Sequence, residues 1–207
     1  LLHFPYPYGC KRLTADCPLQ KFLEIHVCLP VPWSYRFLLP QSRDGLRKEG
    51  WSIRPQITTF DLEGKTLGVL GMGRIGTAVA RKASYGFGMK VLGYRRNLPG
   101  DICADYGILT SDLDKVIRNS DFLSIHLPYT KDTFHLVSRE KLELMKPDAY
   151  LLNLGRGEVV DQAALRELLL SNRLAGAALD VFEGEIPDAG DPLLHMDQVI
   201  ATPHIAG

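Results

Sequence analysis

Three side chains in the last third of the sequence make a chemical set. Arg156 sits in Asn153-Leu-Gly-Arg156-Gly157, Glu185 in Asp180-Val-Phe-Glu-Gly-Glu185, and His204 in Ala201-Thr-Pro-His204-Ile-Ala-Gly207. A single arginine after a strand is usually a surface residue, but the other two give this one a chemistry. Reduction of a keto acid needs a fork of donors for the carboxylate and carbonyl, which a guanidinium supplies. It needs an acid to protonate the new alkoxide, and histidine titrates in the useful range. A carboxylate beside that histidine raises its pKa and keeps it protonated. Each of the three follows a run that reads as a strand, so all are expected at one end of one sheet.

A second motif supplies a place for a hydride carrier. Gly71-Met-Gly73-Arg-Ile-Gly76 lies between an apolar strand and an amphipathic helix. Gly71 permits a tight turn, Gly73 lets backbone approach a pyrophosphate, and Gly76 lets helix and strand pack closely. N–H groups at the helix start then face the anion. At the end of the next strand, where an acid would accept from the ribose 2′-hydroxyl of NAD, stand Arg95 and Arg96. Guanidinium grips phosphate in a bidentate way, so this pair favours NADP over NAD.

The elements that must position these residues are legible from about Ser42. Residues 42–51 read as a short polar helix ending near Gly50, followed by a loop to Asp61. Strands are expected at 66–70, 90–94, 122–125, 150–154, 176–180 and 198–201. Ile75, Ala78, Val79 and Ala83 recur at helical spacing. Ser111 or Asp112 can cap a helix to about Asn119, Ser138 opens another that Pro147 stops, and Asp161 caps one with an Ala164, Leu165, Leu168, Leu169 stripe. Strands apolar throughout and separated by helices imply a parallel sheet covered on both faces. The expected fold is α/β, a doubly wound parallel sheet of Rossmann type. Ligands bind such sheets at the carboxyl ends of the strands, where every motif above falls.

The stretch from about Leu62 to Gly207 closely resembles the D-isomer-specific 2-hydroxyacid dehydrogenase family. The matching motifs are Gly64-Lys-Thr-Leu-Gly-Val-Leu-Gly-Met-Gly-Arg-Ile-Gly76, His126-Leu-Pro-Tyr-Thr130, Met145-Lys-Pro147, Asn153-Leu-Gly-Arg-Gly-Glu-Val-Val-Asp161, Ala175-Gly-Ala-Ala-Leu-Asp-Val-Phe-Glu183 and Thr202-Pro-His-Ile-Ala-Gly207. The resemblance implies that Arg156 binds substrate, His204 is the general acid/base and Glu185 is its partner. It places Asp180 near the nicotinamide carboxamide, Arg74 and Ile75 at the pyrophosphate, and Pro128 and Thr133 in a loop beside the cofactor. Leu154, Gly155 and Ala206, inside the same motifs, complete the expected cofactor contacts. Glu183 is expected to stay solvated, and His126 and His195 to be structural or surface histidines. Formate dehydrogenases of this fold carry glutamine where Glu185 stands, so Glu185 favours 2-hydroxyacid chemistry. Arg95 and Arg96 make the chain similar to the NADPH-preferring glyoxylate and hydroxypyruvate reductases.

Bulk properties agree with a small-molecule enzyme. Of 207 residues 45% are hydrophobic and 23% charged, and 24 basic residues balance 24 acidic ones, so nothing in the composition points to nucleic acid or a membrane surface as partner. Cys10, Cys17, Cys28 and Cys103 match no zinc or CxxC spacing and suit free thiols in a reducing cytoplasm. No metal is expected. Residues 1–41 read as an atypical N-terminal segment, 42–60 as an inter-domain helix and linker, and 61–207 as the dinucleotide-binding domain. The family carries a flavodoxin-like substrate domain, of which only a truncated remnant is expected here. The expectation is a chain that binds dinucleotide and turns substrate over poorly, within a full-length homodimer. The alternatives are a dinucleotide-sensing interaction protein, since co-repressors related to this family keep the Arg–Glu–His set, and an inactive fragment.

Overall fold

The computed structural model describes residues 39–57, 61–96, 109–184 and 187–205. Most of the N-terminal segment, Glu185 and Ala206 therefore lie outside the described residues. The chain runs α1 (Leu39–Glu49), a 3-10 helix (Gly50–Gln56), β1 (Thr66–Leu70), α2 (Arg74–Phe87), β2 (Lys90–Tyr94), β3 (Leu109–Thr110), α3 (Leu113–Asn119), β4 (Phe122–Ile125), α4 (Arg139–Leu142), β5 (Tyr150–Asn153), a 3-10 turn (Gly157–Val159), α5 (Gln162–Leu170), β6 (Gly176–Leu179), a 3-10 turn (Pro192–His195) and β7 (Val199–Ala201).

The strands form one sheet in the order β3-β2-β1-β4-β5-β6-β7. Every pairing is parallel. The order reverses after β1, between β2 and β4, and in open α/β sheets this switch point is where ligands sit.

Successive strand residues face opposite sides of the sheet, so an apolar run builds two cores at once. Leu67 and Val69, with Phe122, Leu152 and Ala178, pack against Val79, Ala80 and Ala83 of α2. Leu70, Leu123, Ile125, Leu151 and Leu179 pack on the other side against Val116 and Ile117 of α3 and Ala164, Leu165, Leu168 and Leu169 of α5. Truncating one such leucine costs about 2–5 kcal/mol. The small residues of α2 bring its axis close to the sheet, which fixes the distance between helix start and strand end.

Three expectations need correction. The sheet has seven strands rather than six: β3 is two residues long, too short for any period to show. The loop expected after residue 51 begins with a 3-10 turn, entered where Gly50 takes φ +63°. The helix after Ser138 ends at Leu142, well before Pro147, because Leu144 and Met145 turn tightly back onto the carbonyls of Lys141 and Leu142. The Ser138 hydroxyl donates to Glu140 instead of capping. The Asp112 and Asp161 caps form as expected, accepting from the N–H groups of Lys115 and Ala164.

Candidate active site

At the carboxyl end of β1 the chain turns sharply into α2. Gly71 holds φ +101°, a conformation closed to ordinary side chains. A Cβ there would lie 2.7 Å from the His126 carbonyl oxygen, and one on Gly76 would lie 2.1 Å from the Gly71 carbonyl oxygen. These two glycines are required by packing. Gly73 differs: a Cβ on it would meet nothing within 4 Å. Its backbone faces open space at the start of α2, and Gly73 has no side chain to cap the N–H groups of the first turn. That opening fits the pyrophosphate of a dinucleotide, with the α2 N-terminus and its backbone donors as the anion site. Arg74 and Ile75 begin the helix there.

The arginine pair leaves β2 beside this turn. The Tyr94 carbonyl accepts from Gly71 N–H at 3.0 Å and from Met72 N–H at 3.2 Å, so Arg95 follows directly. Both arginines are exposed. Arg96 is not simply solvated: its Nη1 donates to Asp132 Oδ2 at 2.5 Å, and that bond raises its already high pKa. Asp132 belongs to the loop after β4 that also holds Pro128 and Thr133. Thr133 Oγ1 donates to the Pro128 carbonyl at 2.7 Å and accepts from Thr130 N–H at 2.8 Å. The hydroxyl thus braces the loop on which the sequence reading placed it.

Arg156, Asp180 and His204 follow β5, β6 and β7, whose ends are in register through Asn153, Leu179 and Ala201. The structure thus brings all three to one edge of the sheet. Asn153, for which the sequence predicts no role of its own, shapes the first turn. Its buried side chain donates to the Arg156 carbonyl at 3.0 Å and accepts from Gly155 N–H at 3.2 Å. Arg156 itself is exposed, with Nη1 donating to the Gly155 carbonyl. A Cβ on Gly157 would lie 2.0 Å from the Phe182 backbone, so the turn carrying Arg156 and the loop after β6 touch. Leu154 and Gly155 line the same turn.

Asp180 is 3% exposed. Its Oδ1 accepts from Thr202 Oγ1 at 2.5 Å and from Ile205 N–H at 3.0 Å, and its carbonyl accepts from His204 N–H at 3.0 Å. His204 is exposed with φ +53°. Beside it lies a cleft of about 500 Å³ lined by Asp180, Phe182, Leu194, Thr202 and His204 among others. Asp180 is thus a positioning group for His204, a role the sequence reading did not give it.

The remaining histidines divide. His126 Nε2 lies 2.9 Å from Ser124 Oγ, and burial pushes its pKa down to about 4, a structural residue. His195 is exposed and bonds the Ala189 carbonyl. Glu183 keeps 36% of its side chain exposed, and its Oε1 also lies 2.9 Å from Nε2 of His135, a partner the sequence did not suggest. The two are 48 residues apart, and only the fold brings them together. Among the described residues no cluster of His, Cys, Asp and Glu could hold a metal, and no helix is long and apolar enough to cross a membrane.

The family model described as D-isomer specific 2-hydroxyacid dehydrogenase, NAD binding domain, matches residues 37–206. The chain is 48% identical over 145 residues to a glyoxylate/hydroxypyruvate reductase B of Pectobacterium carotovorum, covering 70% of this chain and 45% of that protein. A D-isomer specific 2-hydroxyacid dehydrogenase from Xanthobacter autotrophicus, solved with NADPH and MES, superposes with a TM-score of 0.81 at 29% identity, covering 92% of this chain and 77% of that one. A D-lactate dehydrogenase from Aquifex aeolicus, solved with NAD and lactic acid, gives 0.84 at 33%, covering 92% and 61%. The chain spans about half the length, or less, of the curated relatives it matches.

Proposed function

Since this chain belongs to the D-isomer specific 2-hydroxyacid dehydrogenases through their NAD-binding domain, we propose that it serves hydride transfer between a nicotinamide dinucleotide and a D-2-hydroxy acid or 2-keto acid, with glyoxylate or hydroxypyruvate as the substrate class. The observation that carries the reading is the carboxyl end of the sheet where β5, β6 and β7 end together, on the far side of β4 from the glycine turn.

A bound nicotinamide supplies the hydride. Arg156 binds the carboxylate and carbonyl of the keto acid through its guanidinium fork. His204 gives a proton to the carbonyl oxygen as it becomes an alkoxide, and takes it back in the reverse direction. Glu185 is the partner that the family likeness gives His204. Asp180 fixes the backbone on either side of His204. Gly71, Gly73 and Gly76 open the α2 N-terminus to pyrophosphate, and Arg95 and Arg96 favour NADP over NAD by facing a 2′-phosphate. Leu154, Gly155 and Ala206, with Pro128 and Thr133, flank the cofactor. The balanced charge and the cysteine spacings support a cytoplasmic protein acting on small molecules rather than on nucleic acid or a membrane, and the family likeness supports a homodimer of the full-length protein.

Titration of the purified chain with NADPH and NADH, followed by nicotinamide fluorescence, tests the cofactor half of the proposal. Consumption of NADPH with glyoxylate or hydroxypyruvate tests the rest. Arg156→Ala is expected to remove turnover and keep NADPH binding; near-normal turnover in that variant overturns the assignment.

A further inference from the structure

The glycine turn is flanked on both sides. On one side β2 ends at Tyr94, hydrogen-bonded to Gly71 and Met72, and Arg95 and Arg96 leave from there. On the other, β4 ends against Gly71, since a Gly71 Cβ would come within 2.7 Å of the His126 carbonyl oxygen. The ion pair between Arg96 and Asp132 joins these flanks across the carboxyl end of β1, linking residues 36 apart in sequence.

We propose that Asp132 sets how strongly the chain discriminates between 2′-phosphorylated and unphosphorylated dinucleotides, by holding Arg96 until a 2′-phosphate takes it. This rests on the dinucleotide reading of the glycine turn and the arginine pair. Both partners are well exposed, 71% for Arg96 and 63% for Asp132, so each side chain can swing without moving backbone. The Asp132 backbone lies next to Thr133, whose hydroxyl braces the loop, so the carboxylate remains within reach of Arg96. A phosphate carries more charge and more acceptor oxygens than a carboxylate and wins the guanidinium. It must nonetheless displace a competitor already in place, and it must approach that competitor's negative charge. A dinucleotide with a free 2′-hydroxyl leaves the pair intact and meets neither cost. Arg95 makes no ion pair with a described residue and adds its charge to either state.

The test is the affinity of the purified chain for NADPH and for NADH at low ionic strength, read by nicotinamide fluorescence, with 2′,5′-ADP as competitor. Asp132→Asn is expected to tighten NADPH and 2′,5′-ADP roughly two- to fivefold, the range set by an exposed ion pair, and to change NADH less than about twofold. Arg96→Gln is expected to weaken NADPH about tenfold, a charged hydrogen bond being lost. In the Arg96→Gln background the effect of Asp132→Asn is expected to differ from that in the unaltered chain, because release of Arg96 no longer contributes and the two substitutions are coupled. An NADPH affinity unchanged by Asp132→Asn, or an equal gain for NADH, overturns the proposal and leaves the dinucleotide reading standing. Failure of the unaltered chain to bind either dinucleotide overturns both.

Discussion

The backbone N–H of His204 donates to the carbonyl of Asp180 at 3.0 Å. The same aspartate accepts through its carboxylate from Thr202 and Ile205, so it grips both flanks of the histidine. A non-glycine residue at φ +53° is held by its surroundings, not by its own preference. The residue that the family likeness set beside the nicotinamide is therefore also what aims the proposed acid.

Asp180→Ala leaves the Thr202 hydroxyl and the Ile205 N–H without their acceptor. The expected cost is about 2 kcal/mol, read as a shift of the urea midpoint. Asp180→Asn retains an acceptor oxygen and is expected to lose clearly less. Equal losses in the two variants would show that the charge, not the acceptor geometry, holds this corner.

The glycines separate fold from binding. Gly76→Ala drives a methyl to 2.1 Å from the Gly71 carbonyl, which forces helix and turn apart. A destabilisation of about 2–3 kcal/mol is expected, more than the better helix propensity of alanine returns. Gly73→Ala adds its methyl to open space, so stability should stay within about 0.5 kcal/mol. The space it fills is the approach to α2, and NADPH affinity should fall at least about tenfold. Unchanged NADPH affinity in Gly73→Ala would remove the pyrophosphate from this turn.

His126 makes the fold sensitive to acid. Its pKa falls from 6.5 in the unfolded chain to about 4 in the folded one. Between those values the unfolded state takes up a proton that the folded state refuses. Stability from this group is therefore complete above pH 6.5 and is lost as pH falls toward 4. The loss is at most about 3 kcal/mol, and smaller to the extent that water reaches the ring. Urea unfolding of the chain and of His126→Gln at about pH 7 and about pH 4 checks it, since removal of the histidine should flatten that part of the pH dependence. Parallel losses in both proteins would assign the acid sensitivity elsewhere.

What the sequence disclosed depended on period and locality. Apolar strands, the glycine turn and the Asp112 and Asp161 caps are local signals, and each appears where it was read. A two-residue strand has no period, so β3 was invisible. Asn153 could have been found, because an asparagine at a strand end readily bonds the backbone two or three residues on. The partners of Glu183 and Arg96 could not: His135 and Asp132 lie 48 and 36 residues away, and their approach follows from sheet order alone.

The His135–Glu183 pair offers the clearest check on that last kind of contact. His135 sits at φ +46°, stacks on Phe134 with ring centroids 4.0 Å apart, and donates its backbone N–H to the Glu158 carbonyl. Glu183 is held from the other side, its N–H donating to Gln162 at 2.8 Å. Two side chains ordered this way need little further entropy to meet, so the pair should fall in the upper part of the range for surface pairs. A double-mutant cycle with His135→Gln and Glu183→Gln is expected to give a coupling of about 0.5–1 kcal/mol near neutral pH. The tie joins the loop bearing Asp132 and Thr133 to the segment that leads into Glu185. The single variants should therefore lower turnover more than they lower stability. Zero coupling would return Glu183 to the solvated state that its sequence position suggested.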